Sequence, residues 1–88
     1  MPTIHEESGL LFFFYSSDLD EPPHIHVEYK EGGTMKVWLK DKELKVAWVK
    51  AGMPHHKQNQ SLKIIENKRK TFLDNWYEFK KTGTITKK

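Results

Sequence analysis

Two alternating runs on either side of Glu31-Gly32-Gly33 constrain this chain more than any other feature in it. In the first run His24, His26 and Glu28 share one parity, and Ile25, Val27 and Tyr29 share the other. In the second, Met35, Val37 and Leu39 alternate with Lys36, Trp38 and Lys40. Alternation with a period of two belongs to a half-buried strand, and a glycine pair between two such runs closes them into a β-hairpin. The odd-numbered apolar positions then face a core, and the two imidazoles lie on the opposite face with Lys36, Trp38 and Lys40. Pro22 and Pro23 fix φ and hold their predecessors extended, so the chain enters the first run already stretched.

The rest of the chain supplies partners for that hairpin. Residues 2–5 read as a short extended start and residues 6–9 as a turn, with Gly9 its flexible point. Residues 10–15 are continuously apolar and aromatic, as expected of a strand covered on both faces. Residues 44–49 offer one more short strand, broken by Gly52. After Pro54 the period changes. Leu62, Ile65, Phe72, Trp76 and Phe79 recur at spacings of three, four and seven, which places them on one stripe of a helix. Pro54 suits the first helical turn, and Ser61 is an alternative cap. Arg69 and Lys80 share the stripe by angle, so they are expected to reach over its edge or to meet an acid such as Asp18 or Glu21. Gly83 should end the helix. The expected fold is α+β, an antiparallel sheet of three or four strands with one long C-terminal helix on its apolar face. Residues 1–80 form one domain in this reading, and residues 81–88 a flexible tail.

At 88 residues the chain suits one modest core. It has no cysteine, no apolar run long enough to span a bilayer, and no basic-then-apolar start of a secretory signal. A small cytoplasmic protein without a membrane partner is expected. Net charge is +3 but unevenly placed, with six Lys against nine Asp and Glu up to Met53 and nine Lys and Arg against three acids beyond it. An acidic half and a basic half that complement each other explain this better than a phosphate-binding surface does, since +3 is mild for a dedicated nucleic-acid binder.

One combination of motifs carries a resemblance. Pro2-Thr3-Ile4, Phe14-Tyr15-Ser16 with Asp18, Glu21-Pro22-Pro23-His24-Ile25-His26-Val27, Lys36-Val37-Trp38-Leu39, and a helix with Trp76 and Phe79 together resemble the small bacterial domain-of-unknown-function family numbered 4160. Residues 53–60 depart from its usual helix start. The resemblance implies a small protein, often one of a toxin–antitoxin-like pair, with its partner encoded nearby. It implies no catalytic residue, because the family has no established activity.

The residues themselves leave three readings open. In the first, the face around Trp38 binds a protein partner. In the second, His24 and His26 act as acid and base on RNA while Lys36 holds the phosphate. Two strand residues two apart lie about 6.6 Å apart, so both rings can converge on one phosphate. Tyr15 or Trp38 would stack a base, with Lys40 and Arg69 completing the binding set. In the third, the same imidazoles bind a metal with a ligand from Asp18, Asp20, Glu21 or His5. The plainer account of the histidines is architectural: they pack on Trp38 and bond backbone or Glu28. Asp18, Asp20 and Glu21 read more readily as a solvated turn whose Asp side chains bond local backbone. His55-His56 read as exposed, and Lys63, Lys70 and Lys81 as a solvated helix face. No phosphate-cradling glycine loop occurs, and no cofactor is implied.

Overall fold

Five strands form one antiparallel sheet whose spatial order is the chain order. They are β1 (Thr3–Glu7), β2 (Leu10–Phe13), β3 (His24–Tyr29), β4 (Thr34–Trp38) and β5 (Lys45–Lys50), followed by the helices α1 (His55–Asn67) and α2 (Arg69–Thr82). The structure, a computed structural model, describes residues 3–14, 22–39 and 43–82, with Thr82 described by its backbone alone. The α+β class therefore holds, but with five strands instead of three or four, and two helices instead of one.

The additional strand is β1. Residues 6 and 7 continue the extended start, and the reversal is compressed into Ser8 and Gly9, both at positive φ (55° and 77°). Positive φ at both central positions matches the twist of a two-residue hairpin, so β1 pairs with β2 directly. Ile4 is bulged between the paired residues Thr3 and His5. The hairpin β3–β4 turns where the glycine pair stands. Gly32 and Gly33 adopt φ of 121° and 112°, and the Tyr29 amide donates to the Gly33 carbonyl at 2.9 Å. The Tyr29 hydroxyl donates to the Glu31 carboxylate at 2.7 Å, and chiefly that bond lifts its pKa above the ordinary value of 10.0.

Ile25, Val27, Met35, Val37 and Leu39 all lie in the core under the helices, joined by Leu10 and Phe12 of β2 and by Phe14 just beyond it. The helices cover them with Ile64, Ile65, Phe72, Trp76 and Phe79, and Leu62 packs at the margin. Pro54 precedes α1 in an extended conformation, and its carbonyl accepts from the Lys57 and Gln58 amides, each at 3.0 Å. Ser61 is not a cap. It lies buried within α1 and donates its hydroxyl to the Lys57 carbonyl at 2.7 Å. Lys57 ties the helix to the β1–β2 turn, donating from Nζ to the Ser8 carbonyl and to Gln60, each at 3.0 Å.

The helical segment bends at Lys68, where φ is −109° and ψ is 16°. Neither proline nor glycine causes it, and main-chain bonding continues across it from the Lys68 amide to Ile64 and from the Phe72 amide to Lys68. The reason is tertiary. Residues 55–82 drawn out as one straight helix would run about 42 Å at 1.5 Å per residue. The molecule's longest extent is 34 Å. Bending keeps both Ile65 and Trp76 over the sheet.

Gly33 carries the tightest constraint between the layers. A Cβ built there would stand 2.5 Å from Met53 Cα and 2.6 Å from Met53 Cβ, whereas one at Gly32 meets nothing within 4 Å. Both positions penalise an L side chain by φ alone. Gly33→Ala should therefore cost about 3 kcal/mol and Gly32→Ala about 1 kcal/mol in urea denaturation. Equal losses would mean that the approach of Met53 to the hairpin does not limit stability.

Candidate functional site

The sheet face away from the helices is built from cross-strand rows. Phe13 on β2 pairs with His26 on β3, His26 with Lys36 on β4, and Lys36 with Trp48 on β5. The next row runs from His24 through Trp38 to Lys45. These pairings bring His24, His26, Lys36 and Trp38 together, as the alternation predicts. They also add two residues that the alternation did not single out, Phe13 and Trp48.

The two imidazoles are enclosed. His24 is 0% exposed and His26 is 5% exposed, while Lys36 retains 9%. The His24 and His26 rings meet edge-on with centroids 5.0 Å apart, and His26 stacks on Phe13 at 5.5 Å. His24 also meets Trp38 edge-on at 5.4 Å and touches Trp76 of α2 at 4.9 Å. Parity assigns His24 to the far face, yet at the end of β3 the indole of Trp76 reaches its ring. Nδ1 of His24 lies 3.0 Å from the Pro22 carbonyl oxygen. A carbonyl only accepts, so Nδ1 carries the proton and Nε2 presents a lone pair in the neutral ring. The proline-led entry thus fixes the tautomer as well as the chain direction.

The outer layer of this face is aromatic and cationic. Trp38 and Trp48 are each half-buried. The Lys36 ammonium sits 4.5 Å from the centre of the Trp38 ring, and the Lys50 ammonium 4.6 Å from that of Trp48. Such pairs hold an indole in one orientation and keep a cation beside it.

Other candidate residues fall elsewhere. His5 lies on the helix side of the sheet, 5.6 Å from the Phe12 ring and 6.0 Å from that of Phe72, and donates to Glu7 at 2.9 Å. It is therefore separated by the sheet from His24 and His26. Arg69 donates from Nη2 to the Leu39 carbonyl at 3.1 Å, so its guanidinium reaches the end of β4 across the core edge. Tyr15, Asp18, Asp20, Glu21 and Lys40 lie outside the described residues. Among the described residues, no three or more His, Cys, Asp or Glu side chains group as a metal site would require. His55, His56, Lys63, Lys70 and Lys81 are exposed on the helices.

Trp48 escaped sequence reading because of a register shift. Lys36 pairs with Trp48 and Val37 with Val46, which leaves Ala47 bulged between them. Counting by twos from Val46 puts Trp48 on the face of Val46, whereas the bulge moves it to the face of Trp38.

Fold and face together define a small α+β sheet domain with two helices on one side and a layered aromatic, histidine and lysine surface on the other. The chain belongs to the family described as domain of unknown function DUF4160, whose model matches residues 9–77. No curated protein and no solved structure matches it.

Enclosure makes His24 a packing residue, with a cavity and an orphaned Pro22 carbonyl as the consequence of removing it. His24→Ala should cost about 3 kcal/mol, against about 1 kcal/mol for the half-buried Trp38→Ala, both read from urea midpoints with unchanged slopes. A His24→Ala variant as stable as the parent would return the ring to a role other than packing.

Proposed function

We propose that this domain is a protein-interaction module, one half of a toxin–antitoxin-like pair, and that it binds its partner through the β4–β5 side of the sheet around Trp38 and Trp48. The observation that carries this reading is the layering of that face: two half-buried indoles, each with a lysine ammonium against its ring, over two enclosed imidazoles. Tryptophan anchors held rigidly on strands bind at low entropic cost, and contact energy concentrates in such residues. The exposed lysines Lys45 and Lys50 favour a partner that is acidic on its contact surface.

The same burial weighs against His24 and His26 as the acid and base of a ribonuclease. A general acid or base must come within hydrogen-bond reach of the substrate's proton. An imidazole that is 0% exposed and bonded to Pro22 is poorly placed to do so. RNA binding without cleavage remains an outcome that the experiment distinguishes, since indoles and lysines also suit stacked bases.

Co-purification with the protein encoded at the adjacent locus tests the module. Trp38→Ala and Trp48→Ala should each weaken the complex about tenfold or more, the scale of an interface anchor. Tyr77→Ala, at an exposed position on α2, should leave affinity unchanged. Loss with Tyr77→Ala but not with the tryptophan variants would move the interface to the helices. Salt-sensitive binding of total RNA that depends on both tryptophans, with no protein complex, would replace the partner class.

A further inference from the structure

The two edges of the sheet are finished differently. β1 ends in adjacent exposed acids, Glu6 and Glu7, and has a bulge at Ile4; β5 likewise has a bulge at Ala47 and exposed lysines at both ends, so the difference lies in the apolar residues between them. β5 carries apolar side chains on both faces between its terminal lysines. Val46 and Val49 pair with Val37 and Met35 on the helix side, yet they are 43% and 38% exposed because the helices do not cover this end of the sheet. Trp48 lies on the other face. Apolar residues on both faces are the pattern of an interior strand, and among the described residues β5 has β4 as its sheet neighbour and nothing beyond.

We infer that β5 receives an extended strand of the partner, antiparallel and flanked by acids, which completes the sheet with a sixth strand. This rests on the interaction-module reading and supplies its mode of contact. Main-chain bonding at the open edge would give affinity, and side chains on either face would give specificity. The charges decide which strand is accepted. If two copies of this chain met edge to edge about a two-fold axis, Val46 would stand opposite Val49 of the second copy, twice. The same register sets Lys45 opposite Lys50, also twice. Directly opposed like charges destabilise a strand pair, so the apolar match is available to a foreign strand and denied to the chain's own copy. A segment of the type Glu-Val-Thr-Val-Glu, five residues because Ala47 is bulged out of the register, satisfies both the valines and the lysines.

Charge reversal tests this with the intact protein. The parent should remain monomeric in sedimentation. Lys45→Glu places carboxylates opposite Lys50 of a second copy and should self-associate at concentrations where the parent does not. Lys50→Glu is the equivalent variant if the first folds poorly. The double variant Lys45→Glu/Lys50→Glu restores like-charge opposition and should be monomeric again. In parallel, the capped peptide Glu-Val-Thr-Val-Glu should slow amide exchange along β5 of the parent, and its Lys-flanked counterpart should not. The double variant should reverse that preference by at least tenfold in peptide affinity. Self-association of the parent through β5, a monomeric single variant that is folded, or peptide protection away from β5 would each overturn the assignment. The two readings fail separately. Tryptophan variants that weaken the natural complex while β5 amides stay unprotected keep the module and discard the edge. Protected β5 amides with no effect of the tryptophans keep the edge and discard the face.

Discussion

The indole of Trp76 is the contact on which both layers depend. It meets Phe14 edge-on at 5.2 Å, which fixes α2 against the end of β2, and it meets His24 at 4.9 Å. Through His24 it is connected to Trp38 and His26, and through His26 to Phe13 and Trp48. A continuous aromatic path therefore runs from the helical core around the end of β3 to the opposite sheet face. Aromatic pairs in these tilted and edge-on arrangements contribute beyond the area they bury. Close packing also means that a displaced ring is felt by its neighbours. The sheet's second face is thus not an independent surface, because its orientation is set in part by where α2 docks.

Much of this was legible in the sequence, and the reasons differ by element. The hairpin β3–β4 was fully readable, because alternation and a glycine pair are local signals that agree with each other. The core membership of Ile25, Val27, Met35, Val37 and Leu39 followed from parity alone. Two features did not follow. The bend at Lys68 has no local cause, since it arises from fitting a long helical segment over a short sheet, and the sheet's dimensions are not written in residues 55–82. β1 was hidden because Glu6 and Glu7 look like turn residues, and only the positive φ of Ser8 and Gly9 shows how little chain the reversal needs.

The imidazole pair shows how parity and burial can part company. Parity put His24 and His26 on the face away from the helices, and the pairings with Trp38 and Lys36 agree. Facing away from one core does not mean facing water. Residues of Phe and Trp type on the neighbouring strands enclose the rings, and Pro22 supplies a carbonyl acceptor at Nδ1 of His24. The Pro-Pro-His-x-His motif then makes physical sense as a unit. The prolines hold the chain extended and remove two donors. The Pro22 carbonyl sets the His24 tautomer, and the first imidazole fills the gap between Trp38 and Trp76.

The bulge at Ala47 links that architecture to the proposed binding surface. Without it Val46, Trp48 and Lys50 would share one face and Lys45, Ala47 and Val49 the other, so the two valines would be split between the faces. With it, Trp48 joins His26 and Lys36, and both valines lie on the helix side. A bulge normally disrupts an edge and discourages pairing. Here it also gathers both valines on the helix side and leaves Trp48 between Lys45 and Lys50 on the other face. Such a strand is poor at recognising itself and well matched to a segment whose acids fall at the same two positions. In the proposed pairing, rejection of self and acceptance of a partner would both come from the six residues of β5, Lys45 to Lys50.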